Sequence, residues 1–266
     1  MSRTSSESQE KQSFTRRLSA IAKTMPPGVP RKAAERDARA LVRAGVNSIP
    51  SLLTILENDN APTLLRSAAC WFAGRLGQKR LAPAMLVAFR SGNLVLTRQA
   101  ASDLSLLRSR RVLPALITQL LSAPDPEVRE AAAYALRGYF FEHTADNRVL
   151  TALIGVVRNP EEHPGVRGQA AESLAYSRNK RACSSLISAL RDPSAEVRFW
   201  AAFALGQIRC QAALPHLRRL AHNDKRRLRG WWGVGKEAAD AINEIRYGTR
   251  GVRPRIQQTR PTHRGK

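Results

Sequence analysis

Cysteine is scarce in this 266-residue chain: Cys70, Cys183 and Cys210 stand apart, with no Cys-x-x-Cys spacing. The absence of that spacing argues against a cysteine-built zinc or iron–sulfur site. Each cysteine falls in an apolar helical context, which predicts three free thiols and a reducing, cytoplasmic setting. Five histidines are too few and too scattered to suggest a metal centre. No apolar run approaches the ~18–20 residues of a membrane span, and the N-terminus has no apolar core of a secretory signal. Strand-length alternation of apolar and polar residues is also missing, which leaves helices. Acidic residues are short as well: 21 Asp and Glu stand against 44 Lys and Arg, for a formal charge of +23. Such an imbalance attracts nucleic acid, acidic lipid or acidic protein; a bias of composition explains the same number without any function.

What the chain does have is a repeat. An apolar residue, an arginine and paired small residues recur: Leu65-Arg66 with Ala68-Ala69, Leu96 and Arg98 with Ala100-Ala101, Val128-Arg129 with Ala131-Ala132, Val166-Arg167 with Ala170-Ala171, and Val197-Arg198 with Ala201-Ala202. Successive arginines are 32, 31, 38 and 31 residues apart, the long step coming from an insertion around Phe140–Asp146. A second phrase alternates with the first: Ile49-Pro50, Ala82-Pro83, Leu113-Pro114 and Leu214-Pro215, each opening an apolar stripe. Proline is tolerated there because the first turn of a helix has no backbone donor to lose. Val197, Ala201, Leu205 and Ile208 mark one helical face, with Ser194 as its expected N-cap, and Leu214, Leu217 and Leu220 mark the next.

The periodicity predicts a leading helix near 31–45, containing Ala33, Ala34 and Ala38, and then six helix pairs near 48–75, 81–107, 112–138, 148–176, 180–207 and 212–246. The expected organisation is a flexible basic tail over 1–30, a repeat array over 31–246, and a disordered basic tail over 247–266. Within the first tail, Phe14, Leu18, Ile21 and Met25 fall at helical spacing.

Asp192-Pro193-x-x-x-Val197-Arg198-x-x-Ala201-Ala202-x-x-Leu205-Gly206, followed by Leu214-Pro215-x-Leu217, resembles the HEAT-like repeat of the phycobilisome-lyase family. The resemblance covers about 31–246. It implies an all-α, α-solenoid fold (an α-α superhelix of the armadillo-like kind) whose second helices line a concave face. It also implies that Arg66, Arg98, Arg129, Arg167 and Arg198 form an inter-repeat structural ladder. It says little about function, since such repeats serve lyases, scaffolds, metal hydroxylases and nucleic-acid enzymes. The His-Glu steps of the hydroxylases are reversed here, as Glu142-His143 and Glu162-His163. The segment Trp71-Phe72-Ala73-Gly74-Arg75 resembles the aromatic stretch of bilin-lyase subunits. No nucleophile elbow, phosphate loop or dinucleotide fingerprint occurs.

Three surfaces are candidates for binding. Trp71, Tyr134, Phe199 and Phe203 are expected as aromatic anchors for a protein on the concave face. Clusters at the turns after the second helices are expected to hold a polyanion: Arg75, Lys79 and Arg80; Arg108, Arg110 and Arg111; Arg178, Lys180 and Arg181. A third set, Arg226, Arg227, Arg229, Trp231 and Trp232, could stack bases, or the Trp pair could plug the end of the core. The leading expectation is a monomeric, non-enzymatic adaptor for a protein partner, without cofactor or metal. Nucleic-acid binding along the basic edge is the alternative, and an accessory role in a bilin-lyase-like or nucleobase-processing enzyme is a third.

Overall fold

The computed structural model describes residues 3–24, 49–141 and 146–248. Thirteen α-helices form among them, and no strand. After α1 (Arg3–Thr24) come six pairs: α2 (Ile49–Glu57) with α3 (Thr63–Leu76), α4 (Ala82–Phe89) with α5 (Leu94–Leu107), α6 (Leu113–Ser122) with α7 (Pro126–Arg137), α8 (Asn147–Arg158) with α9 (Pro164–Ala175), α10 (Cys183–Ala189) with α11 (Ala195–Ile208), and α12 (Leu214–Asn223) with α13 (Val234–Tyr247). This is the six-pair α-solenoid order that the periodicity implies. The leading helix near 31–45, the Glu142-His143 pair and residues 249–266 lie outside the described residues.

Local chemistry sets the helix starts. Pro83, Pro126, Pro164 and Pro215 occupy first-turn positions. Asn93 and Asp125 cap α5 and α7, their side chains accepting from Leu96 N at 3.2 Å and Glu127 N at 2.8 Å. Ser194 stands at the N-cap of α11 but its hydroxyl makes no cap bond. Asp192 Oδ1 accepts the Ser194 backbone N–H at 2.8 Å, which fixes the turn ahead of the helix without supplying the missing cap bond.

The chain divides into two compact units, residues 1–119 and 120–266. In the first, α3 lies between α1 and α5. Within the expected flexible tail, residues 3–24 form a docked helix instead: α1 packs on α2 and α3, burying Leu18, Ile21 and Ala22, with Phe14 edge-on to Phe72 at 6.4 Å between ring centres. A first repeat leaves one apolar side open, and the Phe14–Leu18–Ile21 stripe covers it. In the second unit α11 lies between α9 and α13 and is buried along most of its length. Ala170, Ala171, Ala201 and Ala202 are inaccessible to solvent, as small residues must be where helix axes approach to ~8–10 Å.

Three isolated thiols were expected. Cys70 is a free, buried thiol, but Cys183 and Cys210 are joined as a disulfide with Cα atoms 6.1 Å apart. Cys183 opens α10 and Cys210 follows α11, so repeat stacking brings together residues 27 apart in sequence.

Candidate functional site

The first turns of the second helices α3, α7, α9 and α11 carry ladder arginines. Arg129 grips Glu162 through Nε and Nη2, at 3.0 and 2.7 Å, and donates through Nη1 to the carbonyls of Ala123 and Pro124. Arg167 makes the same fork to Asp192, at 2.9 and 3.0 Å, and donates to the Pro160 and Glu162 carbonyls. Arg198 pairs with Asp224 at 2.7 Å and donates to the carbonyls of Asp192 and Pro193. Each arginine thus closes its own inter-helix turn and holds a carboxylate from the next one. Arg66 does the first job alone: it donates to Leu56 O at 2.9 Å and pairs with Asp59 of its own turn.

Arg98 is exposed. Beside it, Thr97 is fully buried, and its hydroxyl donates to Phe89 O at 2.8 Å, the carbonyl equivalent to Leu56 O. A signal was present in the sequence. The apolar residue directly precedes the arginine in four repeats, whereas Leu96 directly precedes Thr97.

The aromatic anchors are also corrected. Trp71 is 4% exposed, Phe199 1% and Phe203 7%, so none offers a free ring to a partner. Each sits on a helix covered from both sides. Arg75 lies over the Trp71 ring at 3.8 Å and reaches across to Asp103 of α5 at 3.4 Å. Half-buried Tyr134 carries the Arg137 guanidinium at 4.2 Å, and Arg137 pairs with Glu172 of α9 at 3.4 Å. The same cation–ring–carboxylate set therefore joins neighbouring second helices in both units. Phe199 and Trp200 meet the Trp231-Trp232 pair of the α12–α13 segment, with ring centres 5.1–6.1 Å apart. Trp232 Nε1 donates to Glu237 at 2.8 Å, and an isolated Arg227–Gly233 bridge closes the segment. The Trp pair is half-buried in this cluster, while Arg226, Arg227 and Arg229 around it are exposed.

The turns leading out of the second helices remain solvent-facing. Gly77, Arg108, Arg178 and Arg209 all take left-handed backbone, with φ of 65°, 48°, 49° and 55°. Glycine adopts this conformation freely, whereas other L-residues pay ~1–2 kcal/mol. Two or three residues further on stand basic pairs: Lys79-Arg80, Arg110-Arg111 and Lys180-Arg181, all exposed. Arg178 is exposed too, Arg108 half-buried, and Arg75 tied to Asp103. Among the described residues, no carboxylate pairs with Arg80, Arg111, Arg178 or Lys180.

Asp103 is a carboxyl pushed far from its ordinary value. Burial raises its pKa from 3.8 to about 6, against the lowering effects of the Gln99 hydrogen bond at 2.6 Å and the Arg75 charge. The same burial, with Asp103 beside it, pushes the Cys70 thiol well up and keeps it protonated. Glu162 and His163 serve the scaffold: one pairs with Arg129, and the other caps α9 by accepting Gly165 N–H at 3.2 Å. No group of three metal-ligating side chains forms among the described residues.

These features define a class, an all-helical repeat protein built of stacked helix pairs. The HEAT repeats family matches residues 49–137 and 150–233, more than half of the chain, and the chain belongs to that family. Solved structures that resemble it include human deoxyhypusine hydroxylase with glycerol (21% identity, 88% of this chain and 86% of that one, TM-score 0.35). A designed armadillo repeat protein in complex with the peptide (KR)4 matches at 21% identity over 90% of this chain and 94% of that one, TM-score 0.45. The complex of CpcE and CpcF of phycocyanin lyase from Nostoc sp. PCC7120 matches at 17% identity over 86% and 94%, TM-score 0.43. No curated protein matches the chain.

Proposed function

We propose that the protein is a non-enzymatic HEAT-repeat scaffold that holds a polyanion, nucleic acid in the first instance, on the basic turns linking one helix pair to the next. The observation that carries this is the left-handed arginine. Arg108, Arg178 and Arg209 recur at the position where Gly77 sits without strain. A strained residue repeated at one register position points to a use for its side chain. Cations near helix C-termini also favour the helix dipole, by ~0.3–1 kcal/mol each. That effect accounts for one charge per turn and not for the pairs that follow.

The test replaces Arg178 and Arg209 together by glycine. Glycine fits the backbone, so the strain relieved offsets both the dipole term and the loss of the long, solvent-exposed Arg209–Glu244 contact at 3.8 Å, and the melting temperature holds. Binding to a 30-nucleotide RNA and to duplex DNA should weaken similarly across sequences, since phosphate contacts carry no base information. On duplex DNA the salt dependence should flatten by ~0.9 in log–log slope per lost contact. Unchanged affinity in the double variant, or no nucleic-acid retention by the parent at ~0.15 M salt, would overturn the proposal.

A protein partner is the second reading, now resting on other residues than the buried aromatics. Leu64, Val95 and Leu106 stand 45%, 43% and 51% exposed on α3 and α5, with Leu64 and Val95 at equivalent repeat positions. If Leu64→Ser with Val95→Ser abolished capture of a partner and the glycine variant did not, the adaptor role would hold.

A further inference from the structure

The opposite ends of the last two helix pairs carry a second basic feature. After α10 the chain turns through Arg191, Asp192 and Pro193, and after α12 it turns through Asp224, Lys225 and Arg226. With α12 between them, these turns line a groove of about 820 Å³. Leu190, Pro193 and Leu220 supply apolar surface, and Arg191, Arg219, Lys225 and Arg226 supply positive charge. All four cationic side chains are exposed, and none is paired with a carboxylate among the described residues. Asp224, the carboxylate in the lining, is already committed: Oδ2 accepts from Arg198 at 2.7 Å and Oδ1 from the Arg226 backbone N–H at 3.0 Å. His216 adds a ring nitrogen.

We propose that this groove binds a phosphate monoester carried on a peptide, so that the scaffold recognises a phosphorylated segment of a protein. Charge decides the anion. Like charges gathered in one cavity without a counter-charge repel each other, and a phosphate monoester brings close to two negative charges at neutral pH. Three guanidinium groups offer the planar, bidentate donors for its oxygens that an ammonium cannot supply. Size decides that the anion is not alone. The volume falls within the ~300–1,000 Å³ of ligand sites, far more than one phosphate fills. The apolar remainder suits residues flanking the phosphate, as where arginine clusters read phosphorylated motifs. Nucleic acid fits this groove less well than the turns discussed above. A strand presents a phosphate every ~3.4 Å and needs an extended track, and base-stacking aromatics are absent from the lining. The site is separate from the left-handed arginines, so it stands or falls independently of the function proposed for them.

The experiment uses the full chain at ~0.15 M salt and two fluorescein-labelled degenerate peptide pools, one with a central phosphoserine and one with serine in its place. The phosphoserine pool should bind at least ~10-fold more tightly, and its affinity should fall as the phosphate gains a proton below pH ~6. Arg191→Gln with Arg219→Gln, outside the ladder and both exposed, should lose ~10-fold per guanidinium while melting no lower than the parent. Lys225→Gln with Arg226→Gln provides an independent pair acting on the other wall. The Arg178→Gly, Arg209→Gly variant should keep its phosphopeptide affinity. Equal binding of the two pools, or full affinity in both groove variants, overturns the proposal. So does loss of RNA binding in the groove variants without phosphopeptide binding by the parent, which would assign the groove to nucleic acid.

Discussion

Asp103→Asn tests whether α3 and α5 are held together by a carboxyl that resists ionisation. Asp103 is almost inaccessible, while its cation, Arg75, is 41% exposed and 3.4 Å away. A solvated cation at that distance compensates poorly for the water lost by the carboxylate. The pKa therefore rises from 3.8 to about 6 on folding. A proton bound more tightly by the folded state stabilises it fully below pH 3.8, and that stabilisation is lost as pH rises to about 6. At ~1.36 kcal/mol per tenfold change, the swing is about 3 kcal/mol, roughly half of it gone by pH ~5. Asparagine has the shape of the protonated acid and no titration. Urea unfolding of both proteins from pH ~4 to ~8 cancels every other titrating group in the difference. The variant should gain on the parent steadily until pH ~6.5 and hold that lead above it. A difference that is flat across the range, or that favours the parent at neutral pH, would refute the desolvation argument. Asp103 packs closely on Gly74 of α3, where an added Cβ would lie 2.8 Å from Asp103 Cβ.

Other outcomes follow from the same packing. Arg167→Met leaves the Asp192 carboxylate without its fork and should cost ~3–5 kcal/mol in urea unfolding. Thr97→Val leaves the Phe89 carbonyl without its donor and should cost ~1–3 kcal/mol; a neutral result would remove Thr97 from the ladder row. Ala201→Leu overpacks a fully buried position and should cost ~1–3 kcal/mol, with an unchanged melting temperature contradicting the helix register.

Much of the scaffold was legible in sequence because its causes are local. The 3.6-residue spacing of Val197, Ala201, Leu205 and Ile208, and the first-turn prolines at 83 and 215, act within one helix, and their recurrence near every 32 residues is a count along the chain. The pairing of helices followed, since a short turn between two amphipathic helices leaves them little but to pack against each other. The exposed basic turns were legible for the same reason, as charges beside helix ends seldom lie inside.

Tertiary structure decided what each face touches. Phe14, Leu18 and Ile21 read as a mobile tail until the open side of the first repeat gave them a surface to cover. Trp71, Phe199 and Phe203 occupy helix faces that sequence spacing leaves open, and helices from other parts of the chain close them. That the Thr97 hydroxyl meets the Phe89 carbonyl is likewise set by where the preceding helix ends in space. Cys183 meets Cys210, and Arg191 shares a groove with Arg219, across stacked pairs. Periodicity determines which side of a helix is apolar; the neighbours that bury it, and the charges left without partners, arise from contacts between residues distant in sequence, which no single stretch of the chain encodes.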